Sequence, residues 1–247
     1  MVNKVLLTGG SGKLGNEITK SNLFDNILYP TRKEMDITNP SSITKYFDEH
    51  DFNIIIHTAA IAKMITCEEN QNLAIQTNII GTSNLVNEIF SRNLESKVRF
   101  IHISTDGVYQ GTKGNYSEID PTIPYNIYGW TKLGAECSVK TLPNHCIIRT
   151  RFFDTYDKRF KDYPSDLFTS KIPINDLVKA IHFLSYSDFI GILNVGDKRM
   201  SEYDRHKIYQ PNAISTSYEY VQKLSKIKLA QDASMDISLW ERLKNEK

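Results

Sequence analysis

Tyr128 and Lys132 stand four positions apart in the segment YGWTK. On a helix that is just over one turn, so a phenol and an ammonium share one face. A free phenol titrates at about pH 10. To exchange a proton efficiently near neutrality it must come down by about 3 units, roughly 4 kcal/mol of differential stabilisation. A neighbouring ammonium does this by favouring phenolate, more strongly where the dielectric is low. Spacing alone is not diagnostic, because Tyr29/Lys33, Tyr109/Lys113 and Tyr203/Lys207 share it. Context separates them. About two dozen residues before Tyr128, the apolar run VRFIHIS ends in STDGVY, where Ser104 or Thr105 offers a hydroxyl. Tyr29/Lys33 contains Pro30, Tyr109/Lys113 contains Gly111, and Tyr203/Lys207 has no hydroxyl-bearing strand end upstream.

Such a pair needs a scaffold that brings a helix beside a strand end. Short apolar runs at 5–8, 53–57, 98–104 and 145–150 read as buried strands. Helix-like segments lie between them at 13–21, 40–49, 68–93 and 125–141, the second opening on Pro40, Ser41 and Ser42. This alternation predicts an α/β fold: a doubly wound parallel sheet of Rossmann type with helices on both faces. Beyond residue 150 the rhythm weakens. IPINDLVKAIHFL reads as strand into helix and GILNVG as one more buried strand. Residues 1–150 are therefore expected to form a dinucleotide-binding domain to which 172–196 returns. Residues 151–171 and 197–247 are expected to form a small substrate region.

The first strand runs directly into TGGSGKLGNEI. Gly9, Gly12 and Gly15 follow a strand and precede a helix, which is the context a dinucleotide loop requires. Gly9 suits the tight turn, Gly12 the approach of a pyrophosphate and Gly15 close packing of helix on strand. Free amides and the positive end of the helix dipole then favour phosphate. The second strand should end near Ile27–Tyr29. YPTRK follows, with Arg32 and Lys33 and no adjacent acid, so an additional phosphate is favoured there and NADP(H) over NAD(H). An oxidised nicotinamide is itself cationic and would add to the pull on the Tyr128 proton. Lys132 would also reach the nicotinamide ribose.

Composition narrows the field. The chain has 247 residues, 40% hydrophobic and 24% charged, with a formal net charge of +1. That suits a globular protein and gives no electrostatic case for nucleic acid or membrane binding. Cys67, Cys137 and Cys146 are widely spaced and odd in number, as in a reducing compartment. The apolar run in MVNKVLLTGG is too short for a signal peptide, and the expectation is a cytoplasmic protein. His50, His57, His102, His145, His182 and His206 suggest no metal site.

TGGSGKLG, HTAA, STDGVY, YGWTK and IIRT, in this order, resemble an extended short-chain dehydrogenase/reductase, and more closely its dTDP-4-dehydrorhamnose reductase branch. KEMDIT and the C-terminal DASMDISLWERL add to the likeness. The resemblance implies an NADPH-dependent reductase of a 4-keto-deoxysugar on a nucleoside diphosphate. By position it implies catalytic roles for Thr105, Tyr128 and Lys132, and a pyrophosphate loop of Gly9, Gly12, Lys13, Leu14 and Gly15. Asp36 and Ile37 would border the adenine, and Ala59, Ala60 and Ala62 would line the cofactor. A homodimer is common in the family. Asp106 is followed by Gly107 where related dehydratases carry a glutamate, so a proton-transfer group that water elimination needs is missing. The stretch between IIRTRFF and IPINDLV is short for the family, which trims the wall around the sugar nucleotide. A nucleotide-sugar epimerase and a non-catalytic NADP-binding regulatory subunit are the alternative readings.

Overall fold

The computed structural model describes residues 4–158 and 160–246. The chain opens with β1 (Val5–Thr8), α1 (Lys13–Lys20), β2 (Ile27–Leu28), α2 (Pro40–Glu49) and β3 (Ile54–His57). Next come α3 (Met64–Glu69), α4 (Gln71–Ala74), a π-helix (Ile75–Ile80), α5 (Gly81–Ser91), β4 (Arg99–Ile103), α6 (Ile127–Val139) and β5 (His145–Thr150). The remainder carries β6 (Phe152–Phe153), β7 (Asp162–Pro164), β8 (Phe168–Thr169), β9 (Ile172–Pro173), α7 (Ile174–Ser185) and β10 (Gly191–Val195). It closes with β11 (Met200–Ser201), α8 (Glu202–Tyr209), β12 (Ile214–Thr216), α9 (Tyr218–Leu224) and α10 (Ser238–Asn245).

Six strands make one parallel sheet in the order β2-β1-β3-β4-β5-β10. Both faces are covered, which is why every residue of β1, β3, β4 and β5 is buried. Leu14 and Ile18 of α1 pack on one face with Leu177, Ile181 and Leu184 of α7. Ile43 and Phe47 of α2 pack on the other with Leu85 and Ile89 of α5. Asn39 starts α2 by accepting hydrogen bonds from the amides of Ser41 and Ser42, and Pro40 fills the first helical position.

Residues 68–93 read from sequence as one helix, and the structure divides them. Asn70 leaves helical geometry, and its side chain accepts from the Leu73 amide to start α4. The π-helix follows, a wider turn often found beside functional sites. After β5, three short strand pairs (β6 with β9, β7 with β12, β8 with β11) tie residues 152–173 to 200–216. The C-terminal segment returns beside the loop after β4, where Tyr116 N donates to Ser234 O at 2.9 Å. Among the described residues, no helix is long and apolar enough to cross a membrane.

Candidate active site

The glycine loop is shaped by contact. Gly9 has φ +75°, and a Cβ there would meet the Ala59 backbone nitrogen at 2.6 Å. A Cβ on Gly15 would lie 2.2 Å from the Gly9 carbonyl oxygen, so α1 sits directly on the turn. No side chain caps α1, which leaves its first amides free to face an anion.

Beside this loop lies a cleft of about 320 Å³. Of the residues singled out from sequence, Gly9, Gly12, Arg32, Asp36, Ile37, Ala59 and Ala60 line it. Lys13 lines a second cleft instead, and Leu14 is buried in the core. Gly15 packs beneath the loop. Ala62 is exposed and outside the lining; Ile61 stands in the wall. The π-helix contributes Thr77, whose hydroxyl is buried without a partner among the described residues. An orphaned polar atom in the wall of a glycine-cradled groove suits a polar ligand such as a dinucleotide.

Arg32 differs from its sequence reading. An acid does stand beside it: Arg32 Nε donates to Asp36 Oδ2 at 3.0 Å. Asp36 also accepts from the Thr38 amide and hydroxyl. The Arg32 side chain remains 69% exposed at the rim of the cleft.

Thr105 follows β4 and starts a single turn by accepting from the Gly107 amide at 3.1 Å. Asn126 caps α6, accepting from the Gly129 amide at 2.8 Å, and so sets the helix that carries Tyr128 and Lys132. The Thr105 hydroxyl donates to Asp106 Oδ1 at 3.2 Å and lies near enough to the Tyr128 phenol to favour its phenolate. Lys132 is turned towards the sheet, with Nζ 3.2 Å from His102 Nε2. Neither cleft counts Thr105, Tyr128 or Lys132 in its lining. Asn78 joins the first cleft to this helix. Its side chain accepts from Ile61 N at 2.7 Å and donates to Ile61 O at 3.1 Å and Thr131 Oγ1 at 2.9 Å. Thr131 Oγ1 in turn donates to the Tyr128 carbonyl.

Burial raises the Tyr128 phenol above its ordinary value, and Asp106 and Cys67 push the same way, against Arg151 and the nearby Thr105 hydroxyl. Lys132 is not among these leading influences. The lowering anticipated from an adjacent ammonium is therefore reversed in the protein alone. A low-dielectric site penalises phenolate before any cation can reward it. Lys132 itself is brought down to about 8 by burial, against the pull of Glu136.

The second cleft, about 450 Å³, adjoins this centre. Lys13 places it next to Gly12 of the first cleft, and Arg151 places it next to the trio. Arg151 Nε donates to Asp106 at 2.9 Å, directly after Thr105. Burial opposes the guanidinium charge, and Asp106 and Tyr125 more than restore it. The cleft wall includes Phe153, Tyr163 and His206, the last two stacked at 3.9 Å. Lys171 and Glu202 form an ion pair in the same wall. Among the described residues, no group of three or more His, Cys, Asp or Glu could hold a metal ion.

Asn78, Thr77, Arg151 and His102 carry much of this arrangement and did not emerge as site residues from sequence. Asn78 lies in IQTNII beside Gln76 and Thr77, so its polarity alone does not single it out. Arg151 lies beside the IIRT motif but outside it.

Residues 3–173 match the RmlD substrate binding domain family. The chain is 32% identical over 164 residues to a dTDP-4-dehydrorhamnose reductase of Aggregatibacter actinomycetemcomitans, covering 64% of this chain and 54% of that protein. It is 31% identical over 155 residues to a dTDP-4-keto-6-deoxy-D-glucose reductase of Streptomyces niveus, covering 61% and 52%. The chain thus spans about half the length of the curated relatives it matches. Its fold superimposes on the crystal structure of dTDP-4-dehydrorhamnose reductase from Bacillus anthracis in complex with NADP. The TM-score is 0.86 at 25% identity, over 98% of this chain and 93% of that one.

Proposed function

The chain belongs to the RmlD substrate-binding-domain family, and on that premise we propose that it is an NADPH-dependent reductase of a 4-keto-deoxysugar linked to a nucleoside diphosphate. The observation that carries this reading is the packing of Gly129 on Gly107, which sets the start of α6, with Tyr128, against the turn that Thr105 opens at the end of β4. In open parallel sheets, ligands bind at that end of the strands.

The cofactor would lie in the 320 Å³ cleft, with its pyrophosphate on the loop of Gly9 and Gly12 and its adenosine near Asp36 and Ile37. Arg32 at the rim offers a guanidinium to a ribose phosphate, which supports NADPH over NADH. The sugar nucleotide would occupy the 450 Å³ cleft, where aromatic walls suit a base and a diphosphate would draw Lys13 from its ion pairs with Asp154 and Asp157. On this reading residues 1–150 and 172–196 serve the cofactor, and 151–171 with 197–247 serve the substrate. The three cysteines are free, which supports a reducing, cytoplasmic setting.

NADPH, when bound, supplies hydride to the carbonyl carbon. Thr105 donates a hydrogen bond to the carbonyl oxygen. Tyr128 transfers its proton to that oxygen; a phenol is protonated at neutral pH, the form ketone reduction consumes. The ammonium of Lys132, one turn along α6, would favour the phenolate left behind, and the family resemblance assigns it the nicotinamide ribose as well.

NADPH oxidation followed with a panel of 4-keto nucleotide sugars tests the proposal. Net oxidation with one of them is the expected result. Isomerisation without net cofactor use would replace the reading with an epimerase. Cofactor binding with neither reaction would replace it with a regulatory subunit.

A further inference from the structure

His102 has no role in the steps above, yet its surroundings are unusual for a strand residue. It is fully buried on β4, and its ring stacks at 5.4 Å on His57 of β3. Nε2 faces Lys132 Nζ at 3.2 Å, and Nδ1 is buried with no partner among the described residues. Burial, then the charge of Lys132, then His57 push the ring well below the usual histidine range, so it is neutral. A neutral imidazole has one donor nitrogen and one acceptor. Against an ammonium, Nε2 must be the acceptor. The ring proton then sits on Nδ1, where it goes unmatched. A buried unmatched N–H is costly, and here that cost leaves Nε2 free to accept from Lys132.

We propose that His102 is a positioning residue for the reductase step: its Nε2 accepts a hydrogen bond from Lys132 and holds the ammonium in place and protonated. This rests on reading Tyr128 and Lys132 as the reacting pair.

The other groups facing Lys132 do not replace it. Glu136, one turn further along α6, attracts the charge but is committed to Arg149 and Ser104. Tyr128, one turn before it, faces Thr105. On β3, His57 is held neutral, at about 3, by burial and the Lys132 charge. It is engaged by Thr8 at 2.6 Å and Thr82 at 2.9 Å. Among the described residues, His102 is the hydrogen-bond acceptor on Lys132 Nζ.

The sign of the effect follows. Losing a neutral acceptor removes stabilisation from the ammonium only, so the Lys132 pKa falls further below about 8. Activity that needs the ammonium is lost as pH rises through that value. The basic limb of kcat/KM therefore moves to lower pH.

Two variants and one spectrum test this. His102→Leu removes the acceptor and is expected to move the basic limb acidward by about one pH unit. His102→Gln, whose amide oxygen reaches the same region, is expected to restore much of the shift. An unmoved limb in folded His102→Leu overturns the proposal. If that variant does not fold, ¹⁵N NMR of the wild-type ring decides. A protonated Nδ1 and a bare Nε2 at neutral pH are expected; a protonated Nε2 overturns the proposal. The spectrum needs no turnover, so it stands apart from any failure to find a sugar substrate.

Discussion

Gly129 lies flat against Gly107: a Cβ on Gly129 would come within 2.2 Å of the Gly107 carbonyl oxygen. This approach sets the start of α6 against the turn after β4, and so Tyr128 against Thr105. Gly129→Ala forces the two segments apart. Overpacking of this kind costs about 1–3 kcal/mol, and a displacement of the order of 1 Å between reacting groups lowers turnover by roughly 100-fold. Thermal unfolding and NADPH oxidation measure both. Unchanged turnover would show that this contact does not set the pair.

Lys132 costs stability to keep. Its pKa falls from 10.5 unfolded to about 8 folded, with burial the leading cause. Between those values the unfolded chain binds the extra proton, so stability rises with pH across that window; below about 8 the full penalty applies. Lys132→Met removes a penalty of about 3 kcal/mol at pH 7, less about 1–2 kcal/mol for stranding His102. The variant is expected to be more stable than wild type in denaturant at pH 7. The gain should shrink towards pH 10.5. A Lys132→Met protein less stable at pH 7 would contradict the buried-ammonium assignment.

Arg32→Ala tests the cofactor. A single charge-assisted contact at an exposed rim suggests a loss of about tenfold in NADPH affinity with little change for NADH. Because Asp36 loses its partner too, the ratio of NADPH to NADH affinity, and not NADPH affinity alone, is the readout. Equal weakening of both dinucleotides by Arg32→Ala would remove Arg32 from any phosphate site.

Asn78→Leu strands the Ile61 amide and takes one hydrogen bond each from the Ile61 carbonyl, which keeps Cys67 Sγ, and the Thr131 hydroxyl, which keeps the Tyr128 carbonyl. A loss of about 2–4 kcal/mol in urea unfolding is expected. Cofactor affinity should fall as well, because Ile61 lines the cleft. A stable variant with normal cofactor affinity would show that the link between cleft wall and α6 is dispensable.

Local signals were readable and long-range ones were not. TGGSGKLG could be read because its demands (a turn, a close approach, an uncapped helix start) fall within eight residues. The Tyr-to-Lys spacing could be read only with context. Tyr203 and Lys207 also share a helix, α8, where the ammonium simply rests 5.7 Å from the ring centroid. Asn78 and His102 escaped notice because their partners Thr131 and Lys132 lie 53 and 30 residues away. The rise in the Tyr128 pKa escaped for a related reason: burial belongs to the assembled site, and no local spacing encodes it. The pairing of Arg32 with Asp36, four residues apart, is within reach of sequence.

Tyr128→Phe is the most direct test of the proton-donor assignment. It removes one oxygen from the ring and leaves the glycine-loop cleft untouched. Measured with the sugar nucleotide that wild type reduces, the variant should bind NADPH with unchanged affinity and lose about 100- to 10,000-fold in turnover. Wild-type turnover in Tyr128→Phe would contradict the account, because the proton would then reach the substrate oxygen by another route.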